Sequence, residues 1–529
     1  MSHLVPSVSF TKKAIFINEK FLPSISLVGK IYSDNGANSF ARLFFEKGLT
    51  ILNKANFILP GALDFCLYAG MFYNRINRPD IAYECFNKAT KIDPNFVPAK
   101  VEKFQMMRAM CNWKDFYHAK KFISQINIED TFIQPYSILI QYDLPFKQKL
   151  FAENFAKKSF SKIRLQKELL QRKPPKKIRI GYLSADFLEH PVGKLLLKMI
   201  SFHNREKFEI ICYSFRNREN CEIQKKFKMF ADYFINIENL SNEEIIKVIR
   251  KDNIQIAIDL MGYTTGSRPE IFSHGISPIQ INYLGFSSTL GAKFIDYIVA
   301  DKITIPKTSE KYYTEKIIRL PNSFMPTDNN QPISKKELTR SEMGLPEDAM
   351  VFCSFNRGMK ICPDVFNIWM DILLEIKGSV LWLSKQNIWV EKNLQNEANR
   401  RGVNPSRLIF AKKVRIDEHL KRHQLADLFL DTFDYNSHST AVDSLWSGLP
   451  LVTKMGKGFQ ARIASSLLTS LGMNELITKS NKEYKDLILK LAYNPKKIVE
   501  LKNKIKQKIT ECSLFDTYSY AKDFEESLT

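Results

Sequence analysis

Residues 428–453 read LFLDTFDYNSHSTAVDSLWSGLPLVT. A short apolar run is followed by a polar loop, then by apolar residues at helical spacing, then by a second apolar run. Ser439 and Thr440 stand where the helix should begin, and both residue types are favoured at helix N-termini. This order predicts one repeating unit of a parallel α/β sheet.

The turn at Ser439 and Thr440 predicts an anion-binding site. The first N–H groups of a helix have no partner within it, and the helix dipole adds positive potential there. Asp443 would lie one turn further on, where it can accept hydrogen bonds from ribose hydroxyls. From these residues alone two interpretations stay open, a nucleotide diphosphate site and a helix cap that binds nothing.

Length and composition indicate a multidomain globular protein. At about 100 to 200 residues per domain, the 529 residues predict roughly three units. With 44% hydrophobic and 25% charged residues, the composition excludes disordered, fibrous and membrane classes. The net charge of +22 is spread along the chain, which favours solvated surface and predicts no nucleic-acid partner.

Cysteine usage and hydropathy predict a cytoplasmic location. The eight cysteines form no CxxC pair and show no metal-ligand spacing, so no metal site is predicted and a reducing compartment is favoured. The first twenty residues lack the apolar core of a secretion signal. No run of 18 apolar residues occurs, so no membrane span is expected. Nothing in the sequence indicates the oligomeric state.

Residues 1–145 are predicted to be all-helical. Residues 63–96 have the internal spacing of a tetratricopeptide helical hairpin, carried by Gly70, Tyr73, Ala82, Phe86, Ala89 and Pro94. One 34-residue period earlier the same residue types recur at Gly36, Ala55 and Pro60, which predicts a preceding repeat. A basic, proline-bearing stretch then marks a linker over 146–177.

Beyond the linker, strands and helices alternate twice. Apolar runs such as IRIGYLS, FEIICYSF and DYIVAD predict a first Rossmann-like half over 178–325. A second series, including MVFCSFN, SVLWLS and LPLVTK, predicts another half over 326–529. Ligands of open α/β sheets bind beyond the carboxyl ends of the strands, so a donor and an acceptor are expected in the cleft between the halves.

Six ordered motifs show a family resemblance: GYLSADFLEHPVGKL, LMGYTTGSRPE, QINYLGFSSTLG, FCSFNRGMKICP, DEHLKRHQLADLFLDT and NSHSTAVDSLWSGLP. From about residue 178 to 520 the chain resembles the catalytic region of the O-GlcNAc transferases and SPINDLY-type O-fucosyltransferases. The helical repeats ahead of it fit that family's layout.

The resemblance implies an α/β fold with two Rossmann-like halves of the GT-B glycosyltransferase type, preceded by an all-α tetratricopeptide-like domain. It implies inverting, metal-independent transfer of a sugar from a nucleotide diphosphate to Ser or Thr hydroxyls of polypeptides. UDP-GlcNAc is the expected donor, and no cofactor is expected. Two alternatives remain, GDP-fucose on the same fold and an inactive repeat-bearing interaction protein.

The resemblance also implies two catalytic groups. His190 matches the active-site histidine of the His-Pro motif, where an imidazole orients an acceptor or moves a proton. Lys360 matches the family's essential lysine in the Phe-Asn-x-x-x-Lys pattern, where an ammonium offsets charge on the leaving diphosphate.

Donor-binding residues follow from the same motifs. His419 is placed against the nucleobase with Arg422 near it, His438, Ser439 and Thr440 match the His-Thr-Thr phosphate motif, and Asp443 matches its ribose-binding aspartate. The chain departs from the family at two positions. Arg357 replaces a neutral Gln or Asn, and its guanidinium is expected either to tighten diphosphate binding or to alter the sugar pocket. Ile416 replaces a ribose-contacting lysine.

Two turns of the first half are expected to border the acceptor side of the cleft. One contains Thr264, Thr265 and Arg268, and the other is LGFSSTLG, over 284–291. In the second turn Ser287 and Ser288 replace the Pro-Gly or Pro-Asn usual in the family, so its backbone is expected to differ.

Overall fold

The computed structural model describes residues 21–34, 37–129, 131–161, 163, 165 and 176–529, and divides between Ile133 and Gln134 into two compact units. The described part of the first unit is helical, with α1 Leu22–Asp34, α2 Asn38–Lys54, α3 Ala62–Arg75, α4 Pro79–Ile92, α5 Val97–Ala109 and α6 Phe116–Gln125. Its core consists of small residues and aromatic rings, as expected of closely crossing helices.

Glycines allow these helices to approach closely. A Cβ on Gly70 would lie 2.5 Å from the Phe86 ring, and one on Gly29 would lie 2.9 Å from the Phe45 ring. The pair Gly29 and Phe45 has the same spacing as Gly70 and Phe86, and therefore marks the preceding repeat.

The predicted 34-residue register of that repeat is wrong. Ala55 follows the end of α2, whereas its supposed counterpart Ala89 lies inside α4, and Pro60 precedes α3. The physical reason is length, because α2 has 17 residues and α4 has 14, and because the connection after α2, residues 55–61, is longer than the one after α4, residues 93–96. Gly36, the third residue of that register, lies outside the described residues.

The first Rossmann-like half is a seven-stranded parallel sheet. Its strands are β1 Ile178–Ser184, β2 Phe208–Ser214, β3 Tyr233–Asn236, β4 Ile256–Asp259, β5 Ile279–Asn282, β6 Tyr297–Asp301 and β7 Lys316–Leu320. The order β3-β2-β1-β4-β5-β6-β7 reverses direction between β1 and β4. That switch point opens a crevice at the carboxyl ends of both strands.

Four helices accompany this sheet: α9 Pro191–Phe202, α10 Glu222–Phe230, α11 Asn242–Asp252 and α12 Pro269–Ser273. The central strand β4 is buried throughout, as expected of a parallel sheet covered on both faces. The apolar runs that predicted β1, β2, β4, β5 and β6 are confirmed. The edge strands β3 and β7 were not predicted, because neither gives a continuous apolar run.

The second half is a six-stranded parallel sheet. Its strands are β8 Val351–Ser354, β9 Val380–Ser384, β10 Leu408–Ala411, β11 Leu428–Leu430, β12 Leu451–Lys454 and β13 Ile477–Thr478. The order β10-β9-β8-β11-β12-β13 places a second switch point between β8 and β11. The helices are α13 Pro363–Glu375, α14 Ile388–Arg400, α15 Ile416–His423, α16 Ser439–Trp446, α17 Ile463–Ser470, α18 Asn481–Ala492, α19 Pro495–Glu511 and α20 Thr517–Leu528.

Two further helices, α7 Pro135–Gln141 and α8 Pro145–Phe160, precede the first sheet within the second unit. Helix α8 lies in the stretch expected to be a linker, and it packs on the first half. Phe155 makes an edge contact with Tyr263, with ring centroids 4.9 Å apart. Of the remaining stretch, residues 162, 164 and 166–175 lie outside the described part of the chain.

The last helix, α20, returns to the first half. The Tyr520 hydroxyl lies 2.6 Å from the Tyr283 hydroxyl, and Glu525 Oε1 lies 2.8 Å from His203 Nδ1. A second buried contact joins the halves where the Ser466 hydroxyl donates to Asp301 Oδ2 at 2.6 Å. These contacts fix the two crevices relative to each other within this unit.

Among the residues that the structure describes, no helix combines the length and apolar character needed to cross a membrane. All eight cysteines lie in this part of the chain, and none forms a disulfide.

Candidate functional site

Helix α16 begins at Ser439, as the sequence predicts. The backbone N–H groups of Ser439 and Thr440 have no hydrogen-bond partner among the described residues. The Thr440 hydroxyl donates to Asn356 Oδ1 at 3.1 Å, which ties the helix start to the loop after β8. Two strands at the second switch point therefore meet at a pair of unpaired amides, which is the geometry that binds phosphate.

Asp431 organises the loop ahead of this helix. Its fully buried carboxylate accepts from the backbone N–H of Thr432 at 2.8 Å and of Ser437 at 2.7 Å. The hydroxyls of Ser437 and Thr453 each donate to it at 2.6 Å. Burial raises the pKa of the Asp431 carboxyl, and these hydrogen bonds act in the opposite direction. The loop is therefore held by one buried acceptor.

Lys360 lies at the end of a short turn after β8, directly beside this loop. Its Nζ donates to the carbonyl of Asn436 at 2.8 Å and lies 4.6 Å from the centroid of the Tyr435 ring. Burial lowers the pKa of the Lys360 ammonium to about 7, although Asp431 acts in the opposite direction. A diphosphate at the start of α16 would add negative charge close to this ammonium and favour its charged form.

Arg357 is exposed at the same switch point. Its guanidinium has no ion-pair partner among the described residues. Its positive charge lowers the pKa of Lys360, of His190 and of Tyr435. A free guanidinium facing both halves is available to an anionic ligand.

Arg422 is buried within the second half. Its side chain is only 5% exposed, and Nη1 donates to the carbonyl of Lys412 at 2.6 Å. The guanidinium lies 4.8 Å from the Phe355 ring centroid and 5.9 Å from that of Trp382. These contacts make Arg422 part of the wall beside His419.

His419 and Asp443 face each other across α15 and α16. His419 Nε2 lies 4.0 Å from Asp443 Oδ2, and the His419 ring is tilted against Phe355 at 5.3 Å. Burial lowers the pKa of His419, so the imidazole is neutral. Burial raises the pKa of Asp443 to about 7, with Lys194 of the first half acting against it. A neutral imidazole can donate or accept a hydrogen bond with a nucleoside, and a carboxylate can accept one.

His438 immediately precedes α16. Its ring stacks on Tyr435 with centroids 4.6 Å apart, and Nε2 lies 3.1 Å from the carbonyl of Gln460. Burial, together with the nearby Lys360, lowers the pKa of His438. A neutral His438 that donates from Nε2 has Nδ1 as its remaining polar atom.

His190 caps α9, at the first switch point. Its Nδ1 lies 3.3 Å from Asp186 Oδ2 and 3.4 Å from the backbone nitrogen of Val192, and either contact leaves Nε2 for a ligand. Burial lowers the pKa of the His190 imidazole, and the Asp186 carboxylate acts against this. Three cations lower it further, Arg357, Arg216 and Lys194. A neutral His190 that donates from Nδ1 to Asp186 leaves Nε2 unprotonated, whereas one that accepts from Val192 at Nδ1 carries its proton on Nε2.

The turn containing Thr264 and Thr265 follows β4, the other strand of the first switch point. Thr265 is exposed, whereas the Thr264 hydroxyl donates to the carbonyl of Met261 at 2.8 Å. The turn passes Arg216, since a Cβ on Gly266 would lie 2.9 Å from its Nη2. This places the turn beside one of the cations that act on His190.

Arg268 is engaged by contacts within the first half. Its Nε donates to Asn242 Oδ1 at 2.7 Å, and its guanidinium lies 5.9 Å from the Phe215 ring centroid. In the second acceptor-side turn, Ser287 is buried and its side chain hydrogen-bonds Tyr435 of the other half. The two turns therefore differ, since only the first has an exposed hydroxyl.

Several residues of the site were not selected from the sequence, namely Asp431, Asn356, Asp186 and Lys194. Asp431 ends an apolar run inside the stretch that predicted the phosphate site, so its position gave a usable signal. Asn356 lies in the Phe-Asn-x-x-x-Lys pattern, and Asp186 and Lys194 each lie four residues from His190, so the motifs also offered a signal for these residues.

Two facing Rossmann-like halves with a phosphate-type helix start at one switch point define the GT-B glycosyltransferase fold. Two overlapping segments, residues 110–337 and 327–524, match the model of glycosyl transferase family 41. The chain therefore belongs to glycosyl transferase family 41, which confirms the predicted resemblance.

The chain is similar to a probable UDP-N-acetylglucosamine–peptide N-acetylglucosaminyltransferase SEC of Arabidopsis thaliana, with 37% identity over 360 residues that cover 66% of this chain and 37% of the relative. A UDP-N-acetylglucosamine–peptide N-acetylglucosaminyltransferase of Caenorhabditis elegans is 27% identical over 550 residues, 79% of this chain and 47% of the relative. The chain thus spans less than half the length of both curated relatives.

A solved structure of a mutant O-GlcNAc transferase from Thermobaculum terrenum has the same fold. It aligns with a TM-score of 0.77 at 22% identity and covers 96% of each chain. The predicted fold class, a helical region followed by two Rossmann-like halves of the GT-B type, is confirmed.

Proposed function

We propose that this chain is an inverting glycosyltransferase that moves N-acetylglucosamine from UDP-GlcNAc to Ser or Thr hydroxyls of polypeptides. The observation that carries the proposal is the unpaired amide pair at Ser439 and Thr440, with Lys360 beside it, in a chain of family 41. The names of the two curated relatives support the choice of sugar and of a peptide acceptor.

In the proposed reaction the acceptor hydroxyl oxygen attacks the anomeric carbon from the face opposite the diphosphate. The new carbon–oxygen bond forms as the bond to the diphosphate oxygen breaks, so the configuration inverts. The hydroxyl proton passes to His190 Nε2 or to solvent while His190 positions the oxygen. Lys360 and the start of α16 stabilise the charge that develops on the leaving diphosphate, the role that a metal ion plays in other transferases.

The nucleobase is assigned to the wall formed by His419, Arg422 and Phe355, and the ribose to Asp443. UDP is favoured by the relatives, whereas Ile416 and Arg357 are the departures that support GDP-fucose as the alternative donor. Calorimetric titration distinguishes the two, because UDP should bind at least about tenfold more tightly than GDP if the base is uracil. Tighter binding of GDP would replace the proposed donor with the alternative.

The acceptor is proposed to be a polypeptide, with the helical unit aiding its docking, and the compartment to be the cytoplasm. A direct test follows UDP release from UDP-GlcNAc with and without added polypeptides. Acceptor-dependent release supports transfer. Release that acceptors do not stimulate supports hydrolysis or a non-protein acceptor, and absence of any release supports the inactive interaction protein.

We predict that Asp443→Asn weakens donor binding. Loss of a hydrogen bond to a charged acceptor costs about 1.5–3 kcal/mol, or roughly tenfold to a hundredfold in Kd. The titration is run at pH 8, above the pKa of about 7, so that the wild-type carboxyl is ionised. Glu418→Gln on the adjacent helix is the matched control, because that carboxylate makes no hydrogen bond or ion pair within the described residues. Equal affinity of Asp443→Asn and wild type would remove Asp443 from the donor site.

We also predict proton uptake when the donor binds. Because the pKa of Lys360 is about 7 without ligand, most of the population is neutral at pH 8, and a bound diphosphate raises the pKa. Calorimetry at pH 8 in buffers of different ionisation enthalpy should report uptake approaching about one proton per site. UDP-GlcNAc has no phosphate group that titrates near this pH. Lys360→Met should abolish the uptake, and uptake that persists in this variant would contradict the assignment.

A further inference from the structure

Asp143 joins the segment ahead of the first sheet to a loop of the second half. It lies between α7 and α8, and its carboxylate accepts from the backbone N–H of Lys457 at 2.8 Å and of Gly458 at 2.6 Å. The Gln460 side chain also donates to it, at 3.5 Å. One side chain therefore holds the loop that follows β12.

Two glycines allow this close approach. A Cβ on Gly456 would lie 2.6 Å from Asp143 Oδ2, and one on Gly458 would lie 2.9 Å from Oδ1. A side chain at either position would also clash within its own loop, with Ala461 Cβ at 2.5 Å from the Gly456 position and Gln460 Oε1 at 2.6 Å from the Gly458 position. The sequence Gly-Lys-Gly at 456–458 is thus fitted to a carboxylate at residue 143.

The same loop supports the diphosphate site. The carbonyl of Gln460 accepts from the backbone N–H of Asn436 at 3.0 Å and lies 3.1 Å from His438 Nε2. The carbonyl of Asn436 in turn accepts from Lys360 Nζ at 2.8 Å. A continuous path of hydrogen bonds and one short loop thus runs from Asp143 to the ammonium proposed to meet the diphosphate.

We infer that Asp143 is a positioning residue for donor binding, which fixes the 456–460 loop and through it His438 and Lys360. The inference rests on the proposed function for its effect on the donor, but the contacts that define it are independent of the sugar. It makes the segment 134–160 a working part of the transferase rather than a connection.

Ionisation of Asp143 is required for this role, because a protonated carboxyl accepts hydrogen bonds through fewer sites. Burial raises the pKa of Asp143 to about 6. The hydrogen bonds from the backbone N–H groups of Lys457 and Gly458 lower the pKa of Asp143, and so does the charge of Lys454. The charge of Asp434 raises it. The two other titratable groups that interact with it are Tyr313 and Arg462. The contact should therefore weaken as the pH falls through about 6.

The first arm of the test is hydrogen exchange without any ligand, comparing wild type with Asp143→Asn. Exchange of the backbone amides at 457 and 458 should accelerate by about tenfold or more, and exchange at 436 should accelerate with them. Glu153→Gln is the matched control, because Glu153 lies on α8 and accepts from the Thr314 hydroxyl at 3.2 Å, away from the loop. Acceleration at 457 and 458 with no change at 436 would overturn the inference.

The second arm measures the affinity for UDP-GlcNAc as a function of pH. The ratio of Kd values, Asp143→Asn over wild type, should be about tenfold at pH 8 and approach one below pH 6. Taking the ratio cancels the titration of Lys360 and Asp443, which both proteins share. A ratio that is constant with pH would indicate a merely structural role and overturn the inference. If wild type binds no UDP-GlcNAc, the proposed donor fails, and the exchange arm still decides the role of Asp143.

Discussion

Lys360→Ala is expected to reduce the turnover number for sugar transfer by about a hundredfold to a thousandfold and to leave the fold intact. Loss of one preorganised donor to a developing negative charge has this magnitude in other enzymes. The structure adds that the wild-type ammonium makes a hydrogen bond only to a carbonyl at the site, that of Asn436, at 2.8 Å. Its loss should therefore affect the reaction more than stability. Steady-state kinetics and thermal unfolding measure the two effects separately.

The matched control for this variant is Lys385→Ala. Lys385 follows β9, the strand next to β8, and its Nζ lies 3.4 Å from Glu391 Oε2 rather than near the loop of α16. Removing it also deletes one lysine side chain at the same edge of the sheet. If both variants lost activity to the same extent, general electrostatics would explain the loss and the specific role of Lys360 would fail.

Asp431→Ala is expected to lower the free energy of unfolding by about 3–5 kcal/mol and to eliminate measurable donor binding. The substitution leaves buried N–H groups of Thr432 and Ser437 without their acceptor, and unsatisfied buried groups are costly. The loop would then no longer place Asn436 and His438 beside Lys360. Chemical denaturation measures the free energy of unfolding. Titration with UDP, under conditions where the variant is still folded, measures donor binding.

The matched control for Asp431→Ala is Asp434→Ala, which removes one carboxylate from the same loop. Asp434 is partly exposed, so its loss should cost less than about 1 kcal/mol. A comparable loss of stability in both variants would contradict the view that one buried carboxylate organises the loop. Normal donor binding by Asp431→Ala would contradict its link to the site.

The fold was largely predictable from the order of apolar runs. Ten of the strands correspond to runs read directly from the sequence, because central parallel strands are buried on both faces and lack polar interruptions. β13 was missed because it has only two residues. The helical register failed for a different reason, since the length of α2 changed the period that residue types alone suggested.

The start of α16 was predictable because it depends on local spacing, and so was the position of Lys360 after β8. The surroundings of these residues were not. The burial of Arg422 against Phe355 and Trp382 gave no signal in its own helix, because burial is decided by neighbours from other strands. Asp143 acts on a loop more than three hundred residues later in the chain, at 2.6 Å from Gly458. Such pairs arise from the tertiary fold and leave no periodic signal.

The most direct test of sugar transfer to protein is mass spectrometry of purified polypeptides after incubation with this chain and UDP-GlcNAc, with GDP-fucose and Lys360→Ala in parallel. The account predicts an N-acetylhexosamine increment on Ser or Thr that requires UDP-GlcNAc and Lys360. An increment that appears equally with Lys360→Ala, or that appears only with GDP-fucose, would contradict it.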